Sequence, residues 1–147
     1  MADHLHTQIR GAAVTKLTGL TTTASRVYAN RLYPIPEASL PALRVSLDDE
    51  TVEIGSIHAP ALLERRITLV VECCAIDLAD LDDTCDQMQK EVEIALSSGL
   101  TVGSRTLIPY LNASRYDDEP AALDAGVKRL EFVLDFATPA NAPDTLT

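Results

Sequence analysis

Apolar residues recur along this chain in two rhythms, a helical one and an alternating one. Glycines and prolines mark where each gives way. Leu5, Ile9, Ala12, Ala13 and Leu17 fall at steps of three and four and predict a helix over 5–18. Asp3 stands where a carboxylate caps and favours the positive helix end, and Gly19 where a helix stops. Thr21, Thr22 and Thr23 then read as a loop. Residues 26–33, RVYANRLY, alternate and predict a first strand. Pro34, Pro36 and Pro41 prevent its regular pairing with the next segment. Residues 42–49 predict a second strand, with Leu43, Val45 and Leu47 on one side and Arg44, Ser46 and Asp48 on the other.

Residues 48–61, DDETVEIGSIHAPA, are turn-rich with one short alternating run, and predict an exposed hairpin or long loop. The longest strand signal covers 62–77. It puts Ile67, Leu69, Val71, Cys73 and Ala75 on one face and Glu64, Arg66, Thr68, Val70, Glu72 and Cys74 on the other. Within 77–99, Leu78, Leu81, Cys85, Met88, Val92 and Ala95 form a helical stripe, closed by Gly99. Asp77, Asp80, Asp82, Asp83 and Asp86 crowd its start, where the dipole favours negative charge. Strand-like pieces come next, around 101–108 and 109–117, with Pro109 marking an edge or kinked strand. Residues 127–138 predict a last strand with Leu130, Phe132, Leu134 and Phe136 on an apolar face. Lys128 shares that parity, while Arg129, Glu131 and Asp135 stand opposite. The order predicts an α+β domain over 1–138, a mixed or antiparallel sheet with two helices on one face, and a flexible tail over 139–147.

At 147 residues the chain fits one domain. With aromatics at 4% and no Trp, the core must be built from Leu, Val, Ile and Ala. The net charge of −10 and the lack of any basic cluster argue against nucleic-acid binding as the main function. No apolar run approaches the ~18 residues of a membrane span, and the first ten residues have no signal core. Cys73, Cys74 and Cys85 lack metal or redox spacing and read as reduced, buried thiols of a cytosolic protein.

Catalytic signals are sparse. The three histidines are His4 and His6 at the start and His58 beside Pro60, none placed beside a nucleophile by any motif. Asp3, His4 and His6 make a weak metal set, and a polar N-terminal turn explains them better. Asp82 and Asp83 read as a solvated helix face, and Asp117, Asp118 and Glu119 as a turn. No phosphate loop, nucleophile elbow or zinc-protease motif occurs. These readings predict no catalytic, metal or cofactor site. The polar strand faces are richer: Arg44, Glu64, Arg66, Glu72, Arg129, Glu131 and Asp135 mix both signs, which suits either plain solvation or pairing between subunits.

Together, IRGAAVTKLTG, RVYANRLYPIPEASLPALRVSL, ERRITLVVECCA, the acidic helix and RLEFVLDF resemble the tail terminator proteins of long-tailed bacteriophages, the lambda-like minor tail protein U group. The resemblance runs over roughly residues 8–138. It implies a non-enzymatic virion protein of the tail and neck region, assembled in the host cytoplasm. It implies a homo-hexameric ring on the head-proximal end of the tail tube, ending polymerisation and receiving the head connector. The partners implied are the chain itself, the tail tube protein and a connector or neck protein. Genomic DNA would pass through the channel without specific binding, which the acidic charge suits. The tail type expected is flexible and non-contractile. Candidate contact residues are Tyr33 and Ile35 in the proline link and Asp48, Asp49, Glu50, Glu53, Ile57 and His58 in the 48–61 segment, with Arg44, Arg66, Arg129 and Glu131 on the strands. The rival readings are another neck or tail-completion protein, a small cytosolic enzyme or ligand-binding domain, and an acidic adaptor module.

Overall fold

In the computed structural model, which describes residues 2–29, 35, 37–76, 79–118 and 125–147, the first helical stripe becomes α1, Leu5–Leu17. Leu5, Ile9, Ala13 and Leu17 are its buried face. The cap is His4 rather than the expected Asp3: the His4 Nδ1 accepts from the His6 amide at 3.1 Å. Asp3 stands one residue too early, because the His4 carbonyl already accepts the first helical N–H bonds, from Thr7 and Gln8. At the other end the Thr18 amide and hydroxyl both donate to the Val14 carbonyl.

The expected first strand, 26–33, is only partly among the described residues. Strand β1 is Val27–Tyr28, and residues 30–34, including Tyr33 and Pro34, lie outside the described residues, as does Pro36. It runs parallel to β2, Ala42–Ile54, with Val27 opposite Leu43. Parallel neighbours need a crossover rather than a tight turn, which is what the proline-rich link provides. One 3₁₀ turn, Glu37–Ser39, lies within that link.

The 48–61 segment is a hairpin, and more regular than its turn-rich composition suggested. Strand β2 continues to Ile54, and β3, Leu62–Ile76, returns beside it, Ile54 opposite Leu63. Between Leu47 and Glu50 the register shifts by one extra residue in β2. That bulge reverses the parity. Before it, Leu43, Val45 and Leu47 face the helices. After it, Glu50 and Val52 take that side, and Thr51 and Glu53 the other. The single-sequence alternation hid this, because a bulge interrupts the period that makes a strand legible.

Helix α2 is Leu81–Leu96, with Asp80 at the N-cap position and Asp82 and Asp83 in the first turn. It starts four residues later than the predicted segment, whose Asp77 and Leu78 lie outside the described residues. Its stripe is Cys85, Met88, Val92 and Leu96. Gly99, at φ +89°, reverses the chain, and a Cβ there would stand 2.5 Å from the Thr106 methyl, so only glycine fits. A small separate hairpin comes next, β4, Leu100–Val102, with β5, Arg105–Leu107. After Pro109 comes the edge strand β6, Tyr110–Asp118, and then β7, Ala125–Pro139.

The main sheet has the order β1-β2-β3-β7-β6. Strands β3 and β7 pair without interruption from Leu62 opposite Pro139 to Ile76 opposite Ala125. The fold is therefore α+β, with both helices on one face of a mixed sheet. The core joins the α1 and α2 stripes to Leu43, Val45, Ile67, Leu69, Val71, Leu130, Phe132 and Leu134. Segment 139–147, predicted as a flexible tail, lies against α1 in this structure. The Leu5 amide donates to the Pro143 carbonyl, Gln8 Nε2 donates to the Asp144 carbonyl at 2.9 Å, and Leu146 packs on the core.

Candidate functional site

The sheet face turned away from the helices carries most of the charged candidates. Arg44 on β2 donates two bonds to Glu72 on β3, at 3.0 and 3.1 Å. Arg129 on β7 donates to Glu131 at 3.0 Å and to Asp48 on β2 at 2.9 Å, spanning the strand between. Arg115 on β6 adds a second bond to Glu131 at 2.9 Å. Burial opposes the charge of Arg129, but Glu131, with Glu72 and Asp48 beyond it, outweighs burial and raises its pKa. A shallow hollow of about 260 Å³ lies among Arg44, Ser46, Asp48, Val70, Glu72 and Arg129. Towards the free ends of β2 and β3, Arg66 grips Asp135 through two bonds, at 2.7 and 3.2 Å, and Tyr110 donates to the same carboxylate at 3.1 Å. The Arg66 bond holds the Asp135 carboxyl below its ordinary range.

Of the charged candidates, then, Arg44, Asp48, Arg66, Arg129 and Glu131 make ion pairs within one chain. Complementary charges on neighbouring strands are a register device as much as an interface device. Ile35 is half-buried in the link, apart from these networks, and Tyr33 lies outside the described residues.

The remaining candidates sit on the arm formed by the ends of β2 and β3. Glu50 faces the helix side. It accepts from Arg65 Nη1 at 3.0 Å and from His6 Nε2 at 2.7 Å, which ties the arm's base to α1, and Arg65 also donates to Thr138. Sequence gave no sign of this clasp, whose His6 and Glu50 stand 44 positions apart. Beyond it the arm stands in solvent. Val52 is 46% exposed, Ile54 70% and Ile57 94%, and His58 and Asp49 are exposed too. Glu53 lies directly opposite Glu64, both exposed, and neither makes an ion pair with a described residue. Like charges directly opposed across two strands destabilise a hairpin.

A second feature lies on the helix side. Lys128, the cation on an apolar parity, is buried, and its ammonium donates to Asp86 Oδ1 on α2 at 2.7 Å and to the Tyr116 hydroxyl at 3.2 Å. Tyr116 also donates to Asp86. Burial opposes the Lys128 charge, yet Asp86 and Tyr116 raise its pKa, and Lys128 in turn lowers that of Asp86. The odd charge in an otherwise apolar row was the signal for this contact. It pins α2 to β7 and needs no chemistry beyond that.

All three cysteines are free and buried. Burial raises the Cys85 thiol to about 11 and lifts Cys73 further, so neither is a thiolate at neutral pH. Among the described residues no group of three or more His, Cys, Asp and Glu side chains is placed to hold a metal ion. No helix of the described residues is long and apolar enough to cross a membrane.

No family model matches the sequence, and no curated protein matches it. Among solved structures, a chain of the "Virion of native gene transfer agent (GTA) particle" is similar at 21% identity, over 92% of each chain, with a TM-score of 0.49.

Proposed function

We propose that this chain is a virion structural protein of a phage-like particle, and specifically a subunit of a ring, six-membered as the tail-terminator resemblance implies, at the head-proximal end of a tail tube. The ring ends tube polymerisation and presents the surface on which the head or neck connector docks. The work is done by shape. One side of the ring matches the last tube layer, and the other lacks the geometry to accept another tube subunit.

The observation that carries this reading is the arm. A single domain whose core is already closed on the helix side projects a regular hairpin with three exposed branched apolar residues, Val52, Ile54 and Ile57. Exposed apolar residues at the tip of an ordered arm mark contact with another protein. A head-to-tail contact whose rotation closes gives a ring. The net charge of −10 suits a channel wall that DNA passes without sticking.

Electron microscopy of the purified chain mixed with growing tail tubes tests the proposal. The expected result is a six-fold ring on one end of each tube and arrest of growth there. Tubes that lengthen at an unchanged rate and carry no added density overturn it. A chain found on the connector, with tube growth unaffected, assigns it instead to the neck.

A further inference from the structure

Segment 140–147 is fastened differently from the strand that precedes it. Strand β7 stays on β3 as far as Pro139 opposite Leu62, and the Ala140 amide, donating to the Ala61 carbonyl at 2.8 Å, extends that ladder by one residue. A turn then folds the chain back, the Ala142 amide donating to the Pro139 carbonyl at 3.1 Å. Beyond the turn the segment lies in a groove between α1 and the β4–β5 hairpin. Its Pro143 carbonyl accepts from the Leu5 amide at 3.2 Å, and its Asp144 carbonyl from Gln8 Nε2 at 2.9 Å. Leu146 rests on the core, and Thr147 donates to the Ala137 carbonyl through both its amide and its hydroxyl.

The groove is well formed, but the hold on the segment is light. Leu5 and Val102, both buried, line the groove, and the Leu5 amide is a first-turn donor that its own helix cannot satisfy. Beneath the segment, however, a hollow of about 150 Å³ persists among Leu5, Val102, Ser104, Arg105, Asp144 and Leu146. Leu146 is only partly buried, and Ala140, Asn141, Thr145 and Thr147 are exposed. These contacts oppose the entropy of ordering eight residues. A segment held in this way opens locally far more readily than the sheet it leaves.

Opening the 139–142 turn lets β7 run on in its own direction. That is the direction in which the arm projects, since Pro139 stands beside Leu62, where β3 returns from the arm. Residues 141–147 then extend up to about 23 Å beyond Ala140, towards whatever the arm touches. In the ring reading that is a second copy.

We propose that copies exchange this segment. Residues 142–147 of one subunit leave their own groove and seat in the same groove of a second copy, Pro143 and Asp144 on its Leu5 and Gln8, Leu146 on its core. The single chain already displays the fit of this occupant. Each groove contact is reproduced in the exchange, and only the 139–142 turn changes. Within an assembly the donor segment is tethered beside its receiver, so the exchange ties copies together at little cost. The inference rests on the self-association in the ring reading, adds the segment and groove that join the copies, and does not depend on the six-fold count.

Cross-linking of exposed positions tests it. Ser104 and Thr145 line the same hollow, one from the β4–β5 hairpin and one from the segment, and both are exposed. The native cysteines are buried, so the unaltered chain is the control for background labelling. A short bis-maleimide should join the two cysteines of a Ser104→Cys, Thr145→Cys double variant within one chain when it is dilute. On assembly, in solution or on tail tubes, that internal link should decline. A mixture of the two single variants should then yield a covalent dimer containing one of each. An assembly that keeps the internal link overturns the exchange and leaves the ring reading standing, whether or not mixed dimers form by proximity. A chain that stays monomeric both alone and on tail tubes overturns both. In a second measurement, double variant linked internally before assembly should associate about tenfold or more weakly than the same protein left unlinked. Equal association of the two also overturns the exchange.

Discussion

Leu69 and Val70 are neighbours on β3, both sealed from water, and different things seal them. Leu69 belongs to the cluster under the two helices. Val70 points to the other face, where no helix of the described residues lies. It lines the hollow among Arg44, Ser46, Glu72 and Arg129, and long charged side chains cover it with their stems. The same sheet is thus held on one side by apolar burial and on the other by a lattice of ion pairs. Apolar burial is insensitive to salt and mild acid, and each residue contributes much. Half-exposed ion pairs are screened, pH-dependent and worth little singly. Substitutions on the two faces should differ accordingly.

The largest effect is expected under the helices. Leu69→Ala or Leu134→Ala empties a fully buried position and should cost about 3 kcal/mol. The check is the shift in urea midpoint followed by circular dichroism. A loss below about 1 kcal/mol at both positions would mean that the helices do not seal the sheet as described.

On the open face, Arg129→Ala leaves Glu131 and Asp48 without the guanidinium they share, and should cost about 1–2 kcal/mol. The paired change Arg44→Met with Glu72→Leu removes both partners of the neighbouring bridge and should be near neutral, within about 1 kcal/mol. The same denaturation series measures both. If the double change costs as much as Arg129→Ala, the bridges are structural necessities and the contrast between the two faces disappears.

Acid sharpens the comparison further, with a smaller effect. Arg66 lowers the Asp135 pKa in the folded chain, so this pair stabilises the fold above the unfolded carboxylate range. That contribution is lost as pH falls through the folded-state value, when Asp135 takes up a proton. Asp135→Asn should therefore lower the neutral plateau of a stability-against-pH curve slightly, with the variant and parent curves converging as pH falls below the folded-state value. A large drop at neutral pH would mean that Asp135 does more than pair with Arg66.

The same contrast decides how legible each part was in the sequence. The helix-covered face was readable, since Leu43, Val45, Leu47, Ile67, Leu69, Val71, Leu130, Phe132 and Leu134 keep strict parity over long strands, and burial of one face forces that parity. Strand β1 is seen only at Val27 and Tyr28, and positions 30–33 of the expected strand lie outside the described residues. The arm was underread, because the bulge after Leu47 reverses parity within it. Among the candidate residues, Arg44, Asp48, Arg129 and Glu131 were each named for charge, and the structure gathers them into one lattice. Their partners were not legible: the Arg129–Asp48 bond joins positions 81 apart, and no local pattern encodes which strands become neighbours. The His6–Glu50–Arg65 clasp was missed for the same reason.

The smallest effect on stability, and the sharpest separation of folding from assembly, is expected at the arm tip. Ile57 is 94% exposed and stands outside both the core and the charged lattice. Ile57→Ser should shift the unfolding free energy by no more than about 0.5 kcal/mol, the ordinary range for a surface change. If the arm is a contact surface, the same substitution should abolish arrest of tube growth, because a polar side chain placed in an apolar bed loses the burial that made the contact favourable. Urea denaturation and a tube-capping assay on one preparation separate the two quantities. A variant that folds normally and caps normally places the contact elsewhere on the molecule. One that loses stability by more than about 1 kcal/mol shows instead that the tip packs on its own subunit, and the arm then belongs with the helix-covered face as part of the fold.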